Sequence, residues 1–113
     1  MDIKIEAPGH PNQKQLIKFY RERLEKKYGE YPFIHNLDVK ITKEQNEYRV
    51  SLQIKPEKGK TLYAEEVHEK EYSALESVIK KMNSQIERYK RKHYHSANRR
   101  KIEIDSDGSV SLD

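Results

Sequence analysis

Lys81, Arg88 and Lys92 stand at i, i+7 and i+11 in a stretch whose apolar residues also recur at three and four. Tyr72, Leu75, Val78, Ile79, Met82, Ile86 and Tyr89 draw that apolar stripe over residues 71–92. At 3.6 residues per turn the three cations fall along one edge of it. Lys80 and Arg91 sit one step further round on the same side, while Glu76 and Glu87 lie on the side away from the first three. A helix that needs only solubility intersperses its signs to form i,i+4 pairs. Here the sorting builds a basic ridge about 16 Å long at 1.5 Å per residue. The chemistry is electrostatic: a ridge of that length touches several phosphates of a folded RNA. The plain alternative is a solvated lysine-rich helix, and charge alone does not choose between the two.

A second basic pair, Arg23 and Lys26, lies beside the apolar stripe of an earlier helix at i and i+3. If the two helices pack side by side, this pair faces a groove shared with Lys81, Arg88 and Lys92, and the groove is a positive channel. Ordinary snorkelling, with methylenes on the core edge and the charge outside, explains the same pair.

Other constellations carry less. Of eight tyrosines, Tyr20, Tyr28, Tyr48, Tyr72 and Tyr89 fall on inward positions and read as core. Tyr63 points outward, but one ring on a sheet is not a base-stacking platform. Asp105, Ser106, Asp107, Gly108, Ser109 and Val110 resemble part of a calcium loop, yet no terminal bidentate Glu or flanking helix follows, so an acidic turn is expected. His93 and His95 are two apart, a weak zinc hint. No paired carboxylates, Ser/His/Asp arrangement or phosphate-cradling glycine loop occurs. The residues therefore point to no enzyme, no metal site and no cofactor.

The elements that position these residues are legible from period and punctuation. Residues 1–7 alternate, with Ile3, Ile5 and Ala7 on one side, as a half-buried strand does. Pro8 to Pro11 form a loop, and Asn12 with Gln15 reads as a capping box. The helix that follows carries Leu16, Ile17, Tyr20, Leu24 and Tyr28 on one face, and Gly29 ends it. A second strand spans 34–42 with Leu37, Val39 and Ile41 inward. Residues 43–46 form a hairpin loop, and a third strand puts Tyr48, Val50, Leu52 and Ile54 inward. Residues 56–60 turn again, and a fourth strand, 61–67, points Leu62 and Ala64 inward. The long basic helix closes the domain.

The order is β-α-β-β-β-α. A right-handed helical crossover makes the first two strands parallel, and the rest form an antiparallel meander. The economical solution is a two-layer α+β fold, a four-stranded mixed sheet with both helices on one face. Residues 1–93 form this domain. Residues 94–113 are a polar C-terminal tail, basic at 98–101 and acidic from 105, either disordered or a weak hairpin about Asp107 and Gly108.

At 113 residues the chain is one domain with one modest core. Charged residues are 37% and the formal net charge is only +4, so local patches matter more than the total. There is no cysteine, hence no disulfide framework and no thiolate metal site. No apolar run reaches membrane-spanning length, and the charged N-terminus alternates at once, unlike a signal peptide. A cytoplasmic protein without a membrane or small-molecule partner is expected.

Element order and the segment 62–92 together resemble the ribosome hibernation-promoting factor family, also called ribosome-associated inhibitors or ribosomal subunit interface proteins. The residues that carry the resemblance are Leu62, Tyr63, Ala64 and Glu65, then Glu71, Tyr72, Ala74 and Leu75, then Lys81, Met82, Gln85, Ile86, Arg88 and Lys92. Family members commonly show an acidic stretch, a Tyr-x-Ala-Ile and a Lys-Leu-x-Arg-Gln-Leu-x-Lys helix. The resemblance covers about residues 1–93. It implies docking on the small ribosomal subunit in the channel of messenger and transfer RNA, blocking translation and preserving idle ribosomes under stress. It implies rRNA contacts at Arg23, Lys26, Lys81, Arg88 and Lys92. Ser84 stands where the family usually has Arg, and Lys80 or Arg91 are the candidates to substitute. Long members carry a further C-terminal domain; this chain looks like a short form, monomeric off the ribosome.

Two other readings make different demands. A stand-alone double-stranded-RNA-binding domain has a similar layout in the order α-β-β-β-α. The extra first strand and the acidic opening of the last helix at Glu69 and Glu71 argue against it. A protein-interaction module using the wet sheet face predicts binding insensitive to salt and nuclease.

Overall fold

The computed structural model describes residues 1–94. The expected tail features, including His95, the basic run 98–101 and the acidic turn from Asp105, lie outside the described residues. The elements are β1 (Asp2–Glu6), α1 (Gln13–Tyr28), β2 (Ile34–Glu44), β3 (Glu47–Pro56), β4 (Leu62–His68) and α2 (Glu71–His93). The sheet order is β1-β2-β3-β4. β1 pairs with β2 in parallel, and both later pairs are antiparallel. This is the expected four-stranded mixed sheet with two helices on one face.

Alternation explains the layering. Ile5, Leu37, Val39, Ile41, Val50, Leu52, Ile54 and Ala64 are buried on one face of the sheet. Their neighbours Lys4, Glu6, Asp38, Lys40, Gln53 and Tyr63 are exposed on the other. Chain packing divides into two compact units, one spanning Met1–Met82 and a second beginning at Asn83, so the boundary falls within α2. In the first unit α1 buries Leu16, Tyr20, Leu24 and Tyr28, and α2 buries Ala74, Leu75, Val78, Ile79 and Met82. Each large apolar side chain so buried contributes about 1.5–3 kcal/mol relative to exposure. In the second unit Ile86 and Tyr89 are buried, and the Tyr89 ring packs on His93 with centroids 4.4 Å apart.

Three local expectations need correction. Asn12 precedes α1 but its side chain makes no capping bond. Its backbone N–H instead donates to His10 Nδ1 at 3.1 Å, which puts the ring proton on Nε2, 2.8 Å from Glu71 Oε2. The loop before α1 is thus tied to the start of α2. Gly29 ends α1 as expected, as its C-cap residue, with φ −62° and its N–H bonded to Glu25 O. The β2–β3 hairpin is tighter than expected. Glu44 pairs with Glu47, and Gln45 at φ 53° makes a two-residue turn possible. Tyr72 is not core: it is 56% exposed and lies at the α1-facing edge of the stripe, one turn before Glu76, against Phe19.

Candidate nucleic-acid interface

The cations read from the sequence sit on α1 and α2. Lys26, Lys80, Lys81, Arg88, Arg91 and Lys92 are exposed, and Arg23 is half-buried. The last turns of α2 concentrate Lys90, Arg91, Lys92 and His93, where cations also complement the negative end of the helix dipole.

Two of the cations have intramolecular partners. Arg23 on α1 grips Glu76 on α2 with both ends of its fork: Nε donates to Oε2 at 3.2 Å and Nη2 to Oε1 at 2.9 Å. Those bonds raise the Arg23 pKa further, against the effect of its partial burial. Lys81 Nζ lies 3.3 Å from Glu66 Oε2 and donates to the backbone carbonyl of Glu65 at 3.4 Å. Glu66 stands on the helix-facing side of β4, opposite Val50, so Lys81 reaches down to the edge strand. Among the described residues, no carboxylate forms an ion pair with Lys26, Lys80, Arg88, Arg91 or Lys92.

This geometry corrects the expected channel between the helices. Glu76 and Lys81 are five positions apart, about 140° round a helix. Glu76 meets α1, so Lys81 faces away from α1 and toward β4. Arg23 and Lys81 therefore stand on opposite sides of α2 and do not share one groove. Within the first unit the structure presents two basic edges, Arg23 with Lys26 on α1 and Lys81 on α2, with Lys80 between them on the solvent face.

The opposite sheet face is charged, and several of its charges are paired within it. Arg49 donates to Glu44 and to Glu65, and the Tyr63 hydroxyl donates to Glu65 at 2.6 Å. The Tyr63 bond first, then Arg49, holds the Glu65 carboxyl below the usual range. Lys4 pairs with Glu6 at 3.1 Å. Among the described residues no cluster of three or more His, Asp or Glu could hold a metal, and no helix is long and apolar enough to cross a membrane.

The two carboxylates that occupy Arg23 and Lys81 compete with any phosphate for them. Replacing Glu66 and Glu76 by Gln together removes two negative charges beside the basic edges. Affinity for a polyanionic partner is expected to rise about threefold to tenfold at low salt, with a loss of stability of about 1 kcal/mol from the half-exposed pairs. Filter binding and urea denaturation read the two effects. Unchanged or weaker RNA binding by the double variant would show that neither cation reaches RNA.

The chain matches the profile of a family described as sigma 54 modulation protein / S30EA ribosomal protein, over residues 4–94. It is similar to a solved ribosomal subunit interface protein from Coxiella burnetii, at 19% identity and a TM-score of 0.70, covering 80% of this chain and 98% of that one. It is also similar to the Protein Y N-terminal domain from Thermus thermophilus, at 19% identity and a TM-score of 0.66, covering 79% and 99%. At that identity the two structures speak to fold. No curated protein matches the chain.

Proposed function

The chain belongs to the sigma 54 modulation protein / S30EA ribosomal protein family, and from that membership we propose that it is a ribosome hibernation factor. It docks on the small ribosomal subunit in the cytoplasm, fills the channel of messenger and transfer RNA, and holds idle ribosomes inactive under stress. The match over residues 4–94 carries this reading. The exposed cations of both helices support it.

The mechanism is steric exclusion with phosphate neutralisation, and no bond is made or broken. Lys81, Arg88 and Lys92, with Lys80 and Arg91 beside them, displace counterions condensed on rRNA. Arg23 and Lys26 engage phosphates on a separate edge, so the RNA meets the helix layer on more than one side. Phosphates carry no sequence information, so selectivity comes from the shape of the channel. The strand β1, paired in parallel with β2, departs from the double-stranded-RNA-binding domain order, and duplex RNA alone is expected to bind weakly.

Co-sedimentation with small subunits over a salt series tests the proposal. With about five phosphate contacts, affinity falls roughly a hundredfold or more between 50 and 200 mM salt. A salt-independent pellet, or none at any salt, overturns it. Tight binding to any free duplex would instead favour the double-stranded-RNA-binding reading.

A further inference from the structure

Phe19 and Tyr72 are the feature of the helix layer that core packing does not use. They are 46% and 56% exposed, yet their rings touch, with centroids 6.2 Å apart and planes tilted by 51°. Phe19 also rests edge-on against the buried Tyr20 ring at 6.1 Å, which limits its rotation. Tyr72 lies beside the Arg23 guanidinium, itself clamped by Glu76. Both rings thus have ring neighbours while each stays about half exposed to solvent.

We infer that this pair is a stacking site for an unpaired RNA base. The inference deepens the ribosomal reading and rests on it for the source of the strand. Phe19, Arg23 and Lys26 follow at i, i+4 and i+7, so the Phe19 ring and two cations share one edge of α1, with Tyr72 reaching Phe19 from α2. Glu76 compensates the Arg23 charge, which leaves exposed Lys26 to meet the phosphate next to a stacked base. A flat apolar surface beside a cation fits single-stranded nucleic acid, whose bases are planar and whose backbone is anionic. A protein partner fits less well. Two half-exposed rings offer far less apolar surface than the core of an interface burying about 800 Å² per partner. The tilt means a base stacks on one ring and meets the other by its edge, not sandwiched between them.

The test compares a single-stranded oligoadenylate with an abasic oligomer of equal length and charge, by fluorescence anisotropy. Wild-type protein is expected to prefer the oligoadenylate about tenfold. The F19L/Y72L variant keeps apolar bulk but loses both rings; its preference disappears while its affinity for the abasic strand is unchanged. Tyr72→Phe retains the preference. Equal affinity of the wild type for both strands overturns the inference, as does a full preference in the double Leu variant. Should that variant melt early, the single variants F19L and Y72L give the same comparison. Small-subunit sedimentation run alongside separates the two proposals. A base preference without subunit binding sinks the ribosomal reading alone, and subunit binding without a base preference sinks the stacking site alone.

Discussion

Reversing Lys81, Arg88 and Lys92 to Glu together is expected to reduce small-subunit affinity by roughly a thousandfold at low salt, at about 1.5 kcal/mol for each lost charge-assisted contact. The slope of log affinity against log salt should become shallower by about three. The fold should survive, because all three side chains are exposed. Of the three, only Lys81 has an ion-pair partner among the described residues. Its replacement sets a carboxylate beside Glu66, and at a site with Lys81 55% exposed this costs about 1 kcal/mol. Circular dichroism and a urea midpoint check the fold, and sedimentation over a salt series checks binding. A variant that still binds with an unchanged slope would remove α2 from the interface. A parallel Arg23/Lys26 reversal then reports whether the α1 edge works alone. Since Arg23 and Lys81 lie on opposite sides of α2, the two sets should weaken binding additively.

The second large effect is alkaline. Tyr20 and Tyr28 are buried, and burial raises the pKa of both phenols well above the ordinary 10.0. Glu71 and Glu76 add to the rise at Tyr20; at Tyr28 the Tyr31 phenol adds and Arg23 opposes. Below about pH 10 both phenols are neutral in folded and unfolded chains, so their contribution is fully present. Above it the unfolded chain ionises while the folded one stays neutral. The folded state then holds more protons, and stability falls as pH rises. The slope is about 1.4 kcal/mol per pH unit for each group, or about 2.7 for the pair. Urea midpoints from pH 9 to 12 measure it. The Tyr20→Phe/Tyr28→Phe variant should lose most of this slope while the exposed tyrosines titrate as before. If the variant and the wild type decline in parallel, the two buried phenols are not the cause.

Much of the core was legible in the sequence because its signals are local. Period-two alternation placed Leu37, Val39, Ile41, Val50, Leu52 and Ile54 on the buried face, and the three-and-four stripe placed Leu75, Val78, Ile79, Met82 and Ile86 there too. Tyr72 failed at the end of that stripe. A period says which residues share a face, but not which residue at the edge of that face the neighbouring element covers. Phe19 carried a signal that went unused: it lies off the Leu16–Tyr20–Leu24 stripe and shares its edge with Arg23 and Lys26.

By itself the chain of residues determined the element order, the inward face of every strand, and the family, through short-range patterns that hold wherever the elements end up. The tertiary structure alone decided which flank of α2 meets α1. The Arg23–Glu76 pair joins residues 53 positions apart, and no local pattern encodes a partner at that distance. That placement sends Glu76 to α1 and Lys81 to β4. It divides the anticipated single channel into two basic edges and leaves Phe19 and Tyr72 open beside one of them.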